Sequence, residues 1–230
     1  MGLANGVHHL AICTGDIKKQ IEFFTDVLGA ELAALYWMHG VDGTFHGFLR
    51  FGDTCSVAFV QNDKVKEIDP QVGISHAANT RAPSAPGTMQ HVAFNVDDEA
   101  ALLKLRDRVR SRGVNIIGPI DHGFCKSIYF AGPEGLNLEI STSAEPIDER
   151  AWIDPEVVAL AGIDAEELER FKKPAAYTND TGEAVPQPPI DPAKPHFIFP
   201  RAEYEKMMTM PDDELTALRS QPDPPVKVAV

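Results

Sequence analysis

Three side chains in this 230-residue sequence have the types and the places to share one metal ion: His9, His91 and Glu139. His91 begins a strand-like run, Met-Gln-His-Val-Ala-Phe-Asn-Val from Met89, and Glu139 ends another, which runs from Ser127 to Ile140. Imidazole and carboxylate are good ligands for divalent first-row metals, and the two meet over one ion if the intervening sheet curls. Glu139 stands between Leu138 and Ile140, so its carboxylate is a buried charge that needs a cation to offset desolvation. Glu134, in the Gly-Pro-Glu-Gly turn just before, reads as a solvated residue.

The third ligand comes from an earlier copy of the same pattern. His9-Leu-Ala-Ile-Cys-Thr-Gly-Asp16 lies 82 positions before His91-Val-Ala-Phe-Asn-Val-Asp-Asp98, and each run leads into a helix-like segment and then Gly29 or Gly113. The duplication covers about residues 5–62 and 88–143, and a repeat of this kind decides the architecture before any single element does.

The elements that must position these residues follow from periodicity and caps. Residues 6–14 alternate as a strand with His9 and Ala11 on one face and His8, Leu10 and Ile12 on the other, leaving His8 as the surface twin. Asp16 N-caps a helix carrying Ile21, Phe24, Val27 and Leu28 at helical spacing, and Gly29 ends it. Strands follow over 30–37, 45–51 and 54–61, with turns at Gly40 and Gly52. The second copy has strands at 89–96, 114–118, 125–131 and 136–141 and a helix from Asp98 to Arg112. Asp16, Asp97 and Asp98 are therefore helix caps. Trp37, Met38, Phe45 and Phe48 belong either to the core or to an apolar pocket wall.

The fold class is α+β: two tandem β-α-β-β-β modules forming a curled mixed sheet around the metal site, plus a proline-rich C-terminal extension. Residues 1–144 form the repeat domain, with a polar linker at 63–87, and residues 145–230 form the extension. Short helices are expected between Pro155 and Phe171. Residues 174–230 carry eleven prolines, too many for a packed sheet or a long helix. They read as an extended strap anchored by Phe197, Ile198, Phe199, Tyr204, Met207 and Met208, laid on the modules or on a second subunit of a homodimer.

A hydrophobic fraction of 43% supports a packed core, and a net charge of −13 argues against nucleic acid and anionic membrane as partners, since both would repel it. No apolar run approaches the ~20 residues that span a bilayer, and no N-terminal stretch has the form of a signal peptide, which points to the cytoplasm. Cys13, Cys55 and Cys125 are widely spaced and read as buried reduced thiols.

With its repeated His-hydrophobic-Ala-hydrophobic opening and the closing Tyr129-Phe-x-x-Pro-x-Gly-x-x-x-Glu139, the sequence resembles the vicinal oxygen chelate superfamily. That group includes glyoxalase I, methylmalonyl-CoA epimerase, antibiotic resistance proteins and type I extradiol dioxygenases. The resemblance covers about residues 5–143. It implies metal ligands on the first and last strand of each module, at His9, near Ala58, at His91 and at Glu139. Ala58 cannot coordinate, and Gln61 lies on the opposite strand face. Lyases and epimerases of the superfamily usually fill the second position with Glu or Gln, whereas extradiol dioxygenases leave it empty and bind iron through two histidines and a glutamate. The resemblance also implies active-site roles for Tyr129, ten residues before Glu139, and for His122, seven before Tyr129. A further histidine expected near Thr54 and Cys55 is missing, which leaves His46 or His39 to act from a neighbouring strand.

A two-His-one-Glu face leaves room on Fe(II) for a chelating substrate and O₂. The reading is therefore an extradiol-type dioxygenase acting on a small aromatic diol or a similar oxygen-chelating substrate, with Fe(II) and, as other divalent ions, Mn(II), Zn(II) or Ni(II). A glyoxalase-like lyase or isomerase is the alternative, and a non-catalytic binding or resistance protein is the third.

Overall fold

The computed structural model describes residues 4–227, and the chain divides into two units, one reaching to Asp164 and the other starting at Ala165. The first unit carries the repeat. In module 1, β1 (His9–Cys13), α1 (Ile17–Phe23), β2 (Glu31–Trp37), β3 (Thr44–Gly52) and β4 (Cys55–Asn62) build a sheet of order β1-β4-β3-β2. In module 2, β5 (Val92–Asn95), α2 (Glu99–Ser111), β6 (Ile117–Asp121), β7 (Lys126–Ala131) and β8 (Asn137–Thr142) build β5-β8-β7-β6. In each sheet the first strand pairs parallel with the last and the other pairs are antiparallel. The sheets remain two separate four-stranded layers and do not close into one curled sheet.

Strand parity divides each sheet into two faces. Ile12, Val57, Phe59 and Leu49 of module 1, with Val92, Phe94, Ile128, Leu138 and Ile140 of module 2, turn to the core under α1 and α2. Phe24, fully buried, sits at the centre. Its ring lies 5.1 Å from Phe59, 6.2 Å from Phe51 and 6.3 Å from Phe94, and Phe51 stacks on Phe94 across the module boundary at 4.5 Å. Aromatic pairs at these separations add to the burial energy of the rings themselves.

Helix α1, extended by a π-helical turn at Phe24–Leu28, is held at both ends by module 2. At its start, Asp16 caps the Lys19 amide, and Ile17 N–H donates to Gln61 Oε1 at 2.6 Å. Glu134 then reaches over from the β7–β8 turn and accepts from Thr14 Oγ1 at 2.6 Å, Gly15 N at 2.9 Å and Gln20 Nε2 at 2.8 Å. At its end, Arg108 of α2 donates to the carbonyls of Thr25, Asp26 and Val27 at 2.8–3.1 Å, and Arg112 pairs with Asp26 at 3.0 Å. An anion at the first turn and a cation at the last both oppose the helix dipole favourably. Glu134 is thus an intermodule anchor and not a merely solvated turn residue; its left-handed backbone, φ 55°, aims the carboxylate at α1.

Other expectations shift in detail. Asp98, not Asp97, caps α2. The three cysteines are free, but Cys13 and Cys55 are exposed and Cys125 half-buried, Cys13 because it stands on the open face of β1. Strand β6 begins at Ile117, three residues later than the alternation suggested. Past the modules, the first unit adds α3 (Glu149–Trp152) and α4 (Pro155–Leu160).

In the second unit α5 (Ala165–Lys172) precedes a stretch without regular structure, and Phe197 and Ile198 there are exposed. The proline-rich tail is not extended throughout, because α6 (Arg201–Thr209) and α7 (Asp212–Arg219) form in it. Pro200 and Pro211 stand immediately before these helices, where a missing N–H costs nothing.

Removing the anchor should be measurable. Glu134→Ala leaves Thr14 and Gln20, both buried, without their acceptor, and should lower unfolding free energy by about 1–3 kcal/mol in urea titration. An unchanged midpoint would remove Glu134 from the forces joining the modules.

Candidate metal centre and active site

The face of module 2 that turns away from the core carries four of the candidate site residues. Register pairs Ala93 with Glu139 and Glu139 with Tyr129, so His91, Glu139 and Tyr129 share one side of adjacent strands. His91 Nε2 lies 2.9 Å from Glu139 Oε2, and Glu139 is only 5% exposed. The His91 and Tyr129 rings are 6.4 Å apart, and His122 Nε2 meets the Tyr129 hydroxyl at 2.8 Å. Four of the five expected site residues therefore converge.

The loop that presents His122 is held by the residues after the modules. Trp152 packs edge-on against Phe124 at 4.8 Å, and its ring lies where a Cβ on Gly123 would come within 2.8 Å. With φ at 86°, Gly123 is required both by its backbone and by this contact. Burial raises the Tyr129 pKa above 10.0, the charge of Glu139 adds to the rise, and a hydrogen bond with Ser127 opposes it. The phenol accordingly stays protonated at neutral pH and is a hydrogen-bond donor.

The surroundings of His91 suit a cation. Gln90 Nε2 donates to the Asn79 carbonyl at 3.3 Å, which orients the amide so that Oε1 faces His91 Nδ1 and accepts its proton. Nε2 is the ring nitrogen that meets the buried carboxylate oxygen of Glu139. Such a pair is stabilised by a proton or a metal ion between its two acceptors, and imidazole with carboxylate is a donor set for Fe, Mn, Zn or Ni.

Module 1 presents the equivalent face with different residues. The pairing Ala11–Ala58–Phe48 matches Ala93–Glu139–Tyr129, so Ala58 occupies the place of Glu139 and Phe48 that of Tyr129. His9 stands on this face, its ring 5.4 Å from Phe48 and its Nδ1 2.9 Å from His8 Nδ1. His46 packs on Phe48 at 4.6 Å beside Tyr36, whose ring lies 5.3 Å from His39. Gln61 is on the other face, where it caps α1. Trp37 and Phe45 also lie on that other face, 4.6 Å apart.

His9 is on module 1 and the His91–Glu139 pair on module 2. Among the described residues no group of three His, Cys, Asp or Glu side chains converges in a form that could hold a metal. Gln90 and Asn79 were not legible as site residues, since neither falls in the repeated pattern.

Residues 6–140 match the Glyoxalase/Bleomycin resistance protein/Dioxygenase superfamily. The chain belongs to that superfamily. Curated relatives span several chemistries. The chain is 25% identical over 148 residues to biphenyl-2,3-diol 1,2-dioxygenase 2 of Rhodococcus globerulus, covering 64% of this chain and 68% of that one. It is 26% identical over 141 residues to a probable lactoylglutathione lyase of Synechocystis sp., covering 60% and 95%. It is 28% identical over 138 residues to the metallothiol transferase FosB of Staphylococcus epidermidis, covering 59% and 80%. The superfamily is mostly enzymatic, and its members use divalent metals.

His46 gives a pH prediction. Burial, and then the charge of His9, hold its pKa below 6.5. Between the folded value and the ordinary one the unfolded chain binds more protons, so stability rises with pH in that window and is lost as pH falls below about 6.5. His46→Phe should flatten this part of the stability profile; an identical profile would show that the ring does not contribute.

Proposed function

We propose that this protein is an Fe(II)-dependent dioxygenase of the extradiol type, acting on a small aromatic diol or a similar oxygen-chelating substrate. The observation that carries the reading is Ala58. It occupies the position that Glu139 fills in module 2, so the ligand set is His9, His91 and Glu139 with no fourth donor. When bound, iron supplies open positions for a chelating substrate and for O₂.

The chain's own residues divide the remaining work. His91 Nε2 and Glu139 would hold the ion, and the Glu139 carboxylate is almost wholly buried. His122, hydrogen-bonded to Tyr129, accepts a proton from a substrate hydroxyl as the general base. The Tyr129 O–H, held protonated, donates to a substrate oxygen. Phe48, Tyr36 and His46 offer an aromatic wall that accepts a ring by stacking or edge contact.

The site is proposed to form across a homodimer. The two modules share their apolar faces inside one chain and are locked by Glu134 and Arg108, whereas His9 and His91 are both exposed on faces pointing away from that core. A second copy that sets its module 1 against module 2 of the first brings His9 to the His91–Glu139 pair and covers both faces.

Anaerobically purified protein should hold iron and consume O₂ with members of a catechol panel. His91→Ala and Glu139→Ala should lose most of the metal, and Ala58→Glu should keep metal while suppressing O₂ consumption. Wild-type protein that uses no O₂ but turns over a hemithioacetal would establish the lyase alternative instead. Unchanged oxygenase activity in Ala58→Glu would remove the argument from ligand count.

A further inference from the structure

We propose that Trp152 is a positioning residue for His122: helix α3, the first element of the C-terminal extension, holds the tip of the β6–β7 hairpin so that the His122 imidazole stays on the Tyr129 hydroxyl. The purpose of this contact rests on the reading of His122 as the general base, but the contact itself stands apart from that reading. Trp152 lies beyond residues 6–140, the part of the chain that matches the superfamily. The support therefore comes from outside the shared fold.

His122 needs such support more than Glu139 or Tyr129 does. Those two stand on β8 and β7, which are paired on both sides, whereas β6 is an edge strand whose register on β7 shifts between Ile117 and Ile120. His122 lies just past its end, in the turn 122–125. Within that turn the His122 N–H donates to the Cys125 carbonyl at 2.8 Å and the Gly123 N–H to Asp121 Oδ1 at 2.8 Å. Both bonds are local. They set the shape of the turn and not its tilt over the sheet, and a segment with few buried apolar contacts opens readily. At the base of the hairpin, Lys126 pairs with Glu99 of α2 at 2.6 Å.

Trp152 constrains the tip. Phe124 leaves the turn half-buried, and the indole meets it edge-on, with ring centroids 4.8 Å apart and planes at 75°. The six-membered ring of the same indole fills the space where a Gly123 Cβ would stand, 2.8 Å from both Cζ2 and Cη2. One rigid side chain thus touches the two residues that follow His122. Trp152 is fixed in turn by its backbone: it ends α3, Asp148 caps that helix through the Arg150 N–H, and the Trp152 N–H donates to the Asp148 carbonyl at 3.1 Å. With Gly123 and Phe124 held, His122 Nε2 stays within 2.8 Å of the Tyr129 hydroxyl. A misplacement of about 1 Å in a catalytic arrangement can cost about 100-fold in rate. The contact therefore bears on the base itself, while Trp152, 48% exposed, is not part of the core.

The test uses full-length, metal-free protein with isotope-labelled glycine, histidine and tyrosine, so that NMR reads the contact and not turnover. In wild-type protein the Gly123 α-protons should carry a ring-current shift from Trp152, and a nuclear Overhauser effect should join the His122 and Tyr129 rings. Trp152→Ala should abolish the first and weaken the second, with a melting temperature within about 4 °C of wild type. Trp152→Phe, which keeps an aromatic ring on α3, should recover part of the His122–Tyr129 signal. Phe124→Leu removes the contact from the other side and should weaken that signal as Trp152→Ala does. On a catechol that the wild type cleaves, Trp152→Ala should lower kcat by up to about 100-fold and leave KM and bound metal unchanged. An undiminished His122–Tyr129 signal in Trp152→Ala or in Phe124→Leu would overturn the proposal. If the wild type cleaves no catechol, the dioxygenase reading fails, and the NMR comparison alone decides whether Trp152 positions His122.

Discussion

Helix α1 belongs to module 1 by sequence and to module 2 by its ends. The Glu134 carboxylate at its start and the Arg108 guanidinium at its finish both come from the second module. The first pairs the buried side chains of Thr14 and Gln20, and the second bonds the carbonyls of the last helical turn. Between these two contacts the Phe24, Phe51, Phe59 and Phe94 rings fill the joint. Everything about the candidate site depends on this lock, because it fixes which sheet faces are buried together and therefore which faces remain open.

What remains open is an unequal pair. The register places Ala58 and Phe48 where module 2 has Glu139 and Tyr129. One copy of the duplicated unit has kept a histidine on an otherwise apolar, aromatic face, and the other carries the carboxylate, the phenol and the loop histidine. The carboxylate of Glu139 can be buried there only with a partner, and within the chain His91 meets it at 2.9 Å.

Much of this was legible in the sequence because it was written in local terms. Alternation, the caps Asp16 and Asp98, Gly29 in its left-handed conformation, and the spacing of the repeat all depend on neighbours within a few residues. Glu134 was misjudged because its partners lie 114–120 positions away and a turn glutamate carries no mark of them. The place of Gln90 beside His91 carries no mark in the sequence for a similar reason: its amide bonds a backbone carbonyl in a linker with no periodicity. The helices α6 and α7 formed in a segment dense in proline because the prolines precede the helices and do not interrupt them. The relation of His9 to the other two candidate ligands is a matter of how faces are paired, and strand patterns do not encode that.

The central claim is that one catalytic centre is built from module 1 of one copy and module 2 of another. Mixing His9→Ala and Glu139→Ala proteins, each unable to hold metal alone, after unfolding and refolding them together tests it most directly. The account predicts that mixed dimers recover one intact centre, seen as bound metal and restored turnover, because the sound module 1 of one variant meets the sound module 2 of the other. No recovery of metal or activity, in mixtures shown by mass to contain mixed dimers, would contradict it and place all three ligands within one chain.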